Sequence, residues 1–333
     1  MGYVVYILLV LVQLAFSGWY IVGSLSLRTG ADPFIFASYR EIIASVLMLM
    51  FVFSRKVPIT IDMIDVPRLT FIGVCSFLNI VGTILALQYI SPSRYSLLQP
   101  LNPIIASSLS IIMGIEKLTL EKLIGAVIAV AGAYIVEIFS NRQAYEKDVT
   151  LGMVLTVIQC SGIACVIVFQ VPLLQKYDSA LVTLIYYSVG TFITIIICAI
   201  WSRHFEYEDF IFHENPLCWV ALIYAAIFAS FFTFNVYSWA GKSVSPSMIT
   251  LCMTIQPVAT SILSFLFLKQ TVSILQGVGG LLVMCGLMLT IYSQQRVMEE
   301  TKKLSETLYE PLVSGSVEEI VGKETETKET GVN

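Results

Sequence analysis

Two stretches place amide side chains beside prolines in otherwise apolar sequence: Gln99-Pro100-Leu101-Asn102-Pro103 and Gln256-Pro257. A proline inside a helix removes a backbone hydrogen bond and crowds the preceding turn, so Pro100, Pro103 and Pro257 are expected to kink or open their helices. Carbonyls freed at residues 97–99 and 252–253 would line a cavity, with Gln99, Asn102 and Gln256 as donors and acceptors. In an apolar setting such groups are tolerable only against protein or water. A plain packing kink uses the same residues, and both readings stand at this stage. Arg40 and Glu41 form a second constellation, seven and eight residues past Pro33, hence roughly 10 Å along a helix by rise. Adjacent residues diverge by about 100° around a helix, so the two cannot both face one pocket. Arg40 has the fork geometry to receive a carboxylate; the alternative is that it snorkels or binds helix carbonyls while Glu41 pairs with a neighbouring helix. Glu41 is the acid best placed for proton coupling, and uniport is equally consistent.

No catalytic or metal constellation accompanies them. The seven cysteines show no CxxC or Cys/His spacing and read as small packing residues. The two histidines, His204 and His213, share one loop without further obvious ligands, so no metal and no other cofactor is expected.

The elements that must position these groups are set by composition. At 57% hydrophobic and 13% charged residues over 333, the chain takes the lipid bilayer as its solvent. A hydrocarbon core of about 30 Å needs roughly 20 helical residues, and ten such spans can be counted: 3–27, 33–53, 67–89, 93–113, 120–139, 151–175, 180–201, 217–241, 246–268 and 272–293. The first lacks a preceding basic segment and a small-residue cleavage site, and is expected to stay as a signal anchor. Of 23 acids and 19 bases, nine and five belong to residues 295–333, which leaves fourteen of each in the membrane part. The bases there are scattered singly, so nucleic acid is not an expected partner.

Residues 91–138 return without a gap 154 residues later. The match holds at Ser91/Ser245, Pro92/Pro246, Ser93/Ser247, Leu97/Leu251, Pro103/Pro257, Ser107/Ser261, Leu109/Leu263, Ser110/Ser264, Gly125/Gly279 and Gly132/Gly286, with Asn102/Gln256 as a conservative pair. The glycines read as close-packing surfaces between helices. The expected fold is thus an all-α polytopic membrane protein of ten transmembrane helices, in two five-helix repeats at 1–139 and 151–294 around a polar connector at 140–150. Five is odd, so the second copy enters from the opposite side, and the repeats are inverted. Arg55, Lys56, Arg68, Lys117, Lys122, Lys176, Lys242 and five tail bases fall on one side, against Arg28, Arg94, Arg142, Lys147, Arg203 and Lys269 on the other. That places both termini in the cytoplasm. Residues 295–333 are too polar to bury a core and are expected to be a disordered cytoplasmic tail, in which Tyr309 and Leu312 fit a Tyr-x-x-apolar sorting signal for an adaptor partner.

FASYREIIAS at 36–45, ALQYISPSRYSLLQPLNPIIAS at 86–107 and GIEKLTLEKLIGAVIAVAGAYIV at 114–136, with their second-half counterparts, resemble the EamA-type drug/metabolite transporters, over essentially residues 3–293. The Tyr39-Arg40 pair and the segment before Pro103 are similar to the plant nodulin-like group that includes amino-acid facilitators. Two positions depart from the pattern: Gln270 stands where the first half has Glu116, and Pro100 where plant relatives often have Asn. The resemblance implies alternating access around a central cavity and a small-molecule substrate, with an amino acid favoured. Nucleobases, nucleotide-sugars or other metabolites are the alternatives, and a plasma or endosomal/vacuolar membrane is the expected site. A membrane scaffold or receptor that transports nothing is the rival of another class, distinguished by the absence of solute flux.

Overall fold

The computed structural model describes residues 2–29, 31–115, 119–138, 147–201, 210–212, 215–269, 273–275, 277–286, 288–289, 292–293 and 296. His204, His213, Glu116, Gln270, most of the connector and the sorting motif at Tyr309 and Leu312 lie outside these residues. Every long element among the described residues is helical. They are α1 (Gly2–Arg28), α2 (Pro33–Ser54), α3 (Val66–Tyr89), α4 (Pro92–Leu98), α5 (Leu101–Ile112), α6 (Leu120–Ile138), α7 (Val149–Phe169), α8 (Val171–Lys176), α9 (Ser179–Trp201) and α10 (Pro216–Tyr224). A π-helical stretch (Ala225–Phe232) follows, then α11 (Thr233–Ala240), α12 (Pro246–Leu251), α13 (Ile255–Leu268) and α14 (Gly277–Gly286).

Local sequence sets where these helices start. Asp32 accepts from the Phe34 and Ile35 amides at 2.8 and 3.1 Å ahead of Pro33, and Asn215 accepts from Leu217 at 3.0 Å ahead of Pro216. Such a side-chain cap followed by proline satisfies an orphan donor and fixes the first φ. Asp148 caps α7 in the same way, accepting from Leu151 at 3.0 Å, so the helix begins at Val149, inside the stretch expected to be connector.

Among the described residues, seven helical stretches are long and apolar enough to cross a membrane: Val4–Arg28, Pro33–Ser54, Met63–Tyr89, Val149–Lys176, Ser179–Trp201, Pro216–Ala240 and Pro246–Leu268. The other expected spans appear as the interrupted pair α4 and α5, as α6 with Glu121, Lys122 and Glu137 along it, and as the short α14. Polarity is distributed inside out. Met50, Phe53, Phe192, Phe265 and Leu266 are exposed, whereas Gln13, Arg40, Glu41, Gln99, Gln159 and Gln256 are buried. This is the pattern of a bundle solvated by hydrocarbon, with its polar groups satisfied internally.

Contacts sort the helix ends onto two faces. On one, Lys176 pairs with Asp62 and with Asp65 (2.7 Å), Tyr177 donates to Asp65 at 2.7 Å, and Arg55 lies 3.9 Å from Asp178. On the other, Thr29 meets Cys218 at 3.4 Å, and Gly152 packs against Tyr89 and Ile90. Arg94, tallied above on the side opposite Lys176, is 2% exposed within α4.

The repeat is visible in the packing. A Cβ on Gly132 would stand 2.7 Å from both the Gly279 carbonyl oxygen and the Val283 nitrogen, while one on Gly286 would stand 2.4 and 2.7 Å from the Gly125 oxygen and the Ala129 nitrogen. Every residue in the first contact is 154 positions from its counterpart in the second, so the contact is reciprocal. Because the obstacles are backbone atoms, Gly132→Ala and Gly286→Ala are each expected to force α6 and α14 apart and to lose about 1–3 kcal/mol. Comparable falls in the thermal midpoint of detergent-purified protein are the expected result, and a loss at one site only would break the equivalence.

Candidate functional site

The fourth span is interrupted at Gln99 and Pro100, between α4 and α5, and the ninth tightens into a 3₁₀ turn at Cys252–Thr254 before α13. Across the first interruption the ladder shortens to i→i+3 bonds, Gln99 N–H to Ser96 O at 3.1 Å and Asn102 N–H to Gln99 O at 2.9 Å. Pro103 and Pro257 are each the third residue of the segment that follows, where a missing N–H is one of the orphans of a helix start. Pro100 stands at the break between α4 and α5, while Pro103 and Pro257 stand in the first turn of the segments that follow, and none of the three lines the cavity they frame.

That cavity lies between the two halves, with a volume of about 20 Å³, which is room for a water molecule. Arg40, Gln99, Asn102 and Gln256 all line it. Glu41, one residue and about 100° further on, does not, and points instead to α9 beside Thr191 and Thr194. Its two oxygens complete no hydrogen bond among the described residues, since those threonines donate to the carbonyls of Tyr187 (3.0 Å) and Gly190 (3.1 Å).

Arg40 is 2% exposed, so it does not snorkel. Its Nε donates to Ser230 Oγ at 2.8 Å and Nη2 to the Ala229 carbonyl at 3.2 Å, and its guanidinium carbon stands 4.9 Å from the Trp19 ring centroid. Both partners belong to the π-helical stretch, whose buried face of Ala225, Ala226, Ala229 and Ser230 lets the arginine approach the backbone. There Thr233 also donates to the carbonyl of Phe228, five residues back, at 2.8 Å. Wide turns of this kind recur at functional sites. Nη1 of Arg40 and Oδ1 of Asn102 have no partner among the described residues.

Two amide networks close the cavity. Gln256 Nε2 donates to Gln13 Oε1 at 2.6 Å and Tyr20 OH to Gln256 Oε1 at 3.1 Å, while Gln13 Nε2 donates to Tyr237 OH at 3.3 Å. Elsewhere Gln99 Nε2 donates to Gln159 Oε1 at 3.2 Å, and Asn102 Nδ2 to Gln99 Oε1 at 2.9 Å and to Met253 Sδ at 3.3 Å. The aromatic lining is Phe16, Trp19, Tyr20 and Tyr237, with Asn79 and Thr83 from α3.

The proline-amide motif and the charge in α2 point to four lining residues; Gln13, Gln159, Trp19, Tyr20 and Tyr237 carry no such mark in the sequence. One signal does single out the glutamines. Gln13 and Gln159 are 146 residues apart, and each lies on the opening helix of its half.

Comparison with known proteins agrees with this architecture. The model of the EamA-like transporter family matches the chain twice, over residues 4–138 and 150–292, with starts 146 residues apart. The chain is 23% identical over 327 residues to the protein WALLS ARE THIN 1 of Arabidopsis thaliana, covering 87% of this chain and 82% of that one. It is 25% identical over 294 residues to an uncharacterized transporter of Archaeoglobus fulgidus, covering 87% and 98%. A solved crystal structure superposes with a TM-score of 0.61 at 14% identity over 86% of this chain and 98% of its own, a likeness of fold. With most of its length matched by the family model, this integral multi-pass membrane protein belongs to the EamA-like transporter family.

Proposed function

We propose that the chain carries a small polar organic metabolite, an amino acid first among them, by alternating exposure of the central cavity between two inverted five-helix halves of a ten-span bundle with cytoplasmic termini. The observation that carries the substrate class is a pair of atoms on cavity-lining residues that have no partner among the described residues, the donor Nη1 of Arg40 and the acceptor Oδ1 of Asn102. Buried polar groups are normally satisfied, so these two describe what the occupant must bring: an anionic acceptor for one and an N–H donor for the other. A zwitterion carries both. At about 20 Å³ the cavity is too small for such a solute, so binding requires the halves to part.

Inversion is supported by the sorting of helix ends. α2 ends, α3 begins and α8 ends at the Lys176 face, so α1, which leads into α2, runs toward the Thr29 face, while α7 runs away from it. The reciprocal Gly132 and Gly286 contacts support the same pseudo-two-fold relation.

Uptake of radiolabelled amino acids, nucleobases and sugars into proteoliposomes tests the reading. Saturable flux of an amino acid is expected. Flux confined to nucleobases would move the assignment to the amide and aromatic lining, and no flux of any solute would favour a scaffold or receptor. To Glu41 we assign proton coupling, on the ground that its carboxyl is buried without a fixed partner among the described residues. Glu41→Gln is expected to keep downhill uptake but lose its acceleration by an inward proton gradient; a variant as gradient-sensitive as the parent removes Glu41 from the mechanism. A plasma or endosomal/vacuolar membrane, and an adaptor for the Tyr309 to Leu312 motif, complete the proposal.

A further inference from the structure

We infer that Gln13 and Gln159 are paired positioning residues, each latching the interrupted helix of the opposite half, so that releasing one opens the cavity to one face of the membrane and releasing the other opens it to the opposite face. This rests on the transport reading above. It goes beyond that reading by naming the bonds that hold the closed state and the direction in which each acts.

The two bonds are alike in construction. In each, a glutamine at a helix interruption donates its amide to the Oε1 of a glutamine on the opening helix of the other half: Gln256 to Gln13 at 2.6 Å and Gln99 to Gln159 at 3.2 Å. All four side chains are at most 4% exposed. The acceptors lie 146 residues apart, the same spacing as the starts of the two family-model matches. The donors are not strictly equivalent, because Gln256 aligns with Asn102 at the 154 offset. Asparagine is one methylene shorter, and the structure bridges the difference with a relay from Asn102 through Gln99 to Gln159. The same connection is thus made by different residues in the two halves.

Position along the helix gives each latch a side. Gln13 lies three residues before the midpoint of the 4–28 span, and Gln159 lies between three and four before the midpoint of 149–176, each about 5 Å short of centre. Since α1 and α7 run in opposite directions, Gln13 is displaced toward the Lys176 face and Gln159 toward the Thr29 face. Both bonds are formed here, around a cavity of about 20 Å³.

The test is hydrogen exchange, read by mass spectrometry, on the full chain in lipid nanodiscs, which needs no knowledge of the substrate. Gln13→Leu is expected to raise exchange about tenfold in the helix turns bordering the Lys176 face, where α2 ends and α3 begins, with the opposite face unchanged. Gln159→Leu is expected to do the reverse, in the turns bordering residues 28–33 and 89–92. Gln13→Glu and Gln159→Glu keep an acceptor oxygen at the same reach and are expected to restore the parent pattern, which a merely space-filling role would not require. Should either leucine variant fail to give monodisperse protein, Gln→Asn withdraws the acceptor by one methylene and is read in the same way. Both leucine variants loosening the same face, or neither changing exchange at any face, would overturn the assignment. Absence of flux in the transport assay alongside face-specific exchange would sink the transport reading alone.

Discussion

Arg40→Ala is expected to lower the initial rate of uptake of carboxylate-bearing solutes by roughly tenfold to a hundredfold, while changing the rate for a decarboxylated analogue of the same solute by much less. The guanidinium is held from one side by Ser230 Oγ and the Ala229 carbonyl and supported on the Trp19 ring, while Nη1 of this cavity-lining residue has no partner among the described residues. A hydrogen bond between ionised partners contributes about 1.5–3 kcal/mol, which converts to the stated range. Arg40→Lys keeps the charge but cannot span Ser230, Ala229 and a ligand together, because the ammonium is a point donor and not a fork. It is expected to recover only part of the rate. Paired uptake measurements on the carboxylate and its analogue check this, with protein folding verified by chromatography. An equal loss for charged and neutral solutes would mean that Arg40 serves the π-helical stretch and not the occupant of the cavity.

The second large effect concerns the seam between the halves. Gly162 of α7 lies against α3, where an added Cβ would stand 2.7 Å from the Cys75 carbonyl oxygen, 2.9 Å from the Asn79 nitrogen and 3.3 Å from the Asn79 Cα. These are backbone atoms of a helix and cannot rotate away. Gly162→Val adds two methyl groups to that collision and must separate α3 from α7. Overpacking usually costs about 1–3 kcal/mol, and a site walled by backbone belongs at or beyond the upper end. A large fall in thermal midpoint or loss of monodisperse protein is expected, together with displacement of the cavity residues Asn79 and Gln159. Gly277→Ala is the matched control. No atom outside its own helix lies within 4 Å of the added carbon, and alanine is the better helix former by about 1 kcal/mol. If both variants are equally stable, the close approach of α3 and α7 is not what holds the seam.

Most of the scaffold was legible in the residues. Apolar runs near the length of a bilayer-crossing helix gave the seven long helices found among the described residues, and the caps Asp32 and Asn215 ahead of prolines mark where two of them start. The divergence of Arg40 and Glu41 followed from helical geometry alone, and the cavity takes one and leaves the other. Arg94 was less legible. Its charge at the start of the fourth span counted it toward one side of the membrane, but burial depends on what packs over α4, which its neighbours in sequence do not specify. The π-helical turn at 225–232 was also hidden, since its residues are compatible with an ordinary α-helix and the widening accompanies an arginine brought in from another helix.

By itself, the sequence determined that the chain lives in a bilayer, that its later helices are duplicated at an offset of 154, and that amides beside prolines recur at matching points. These are properties of composition and spacing, readable without contacts. Only the tertiary structure decided which polar side chains share a cavity, that the prolines stay out of its lining, and that Gln13 and Gln159 receive the amides of the opposite half. The physical reason is that interhelical hydrogen bonds and cavity walls draw on the same few residue types. Their choice of partner is settled by packing between segments more than a hundred residues apart, for Gln13 and Gln256, or sixty apart, for Gln99 and Gln159.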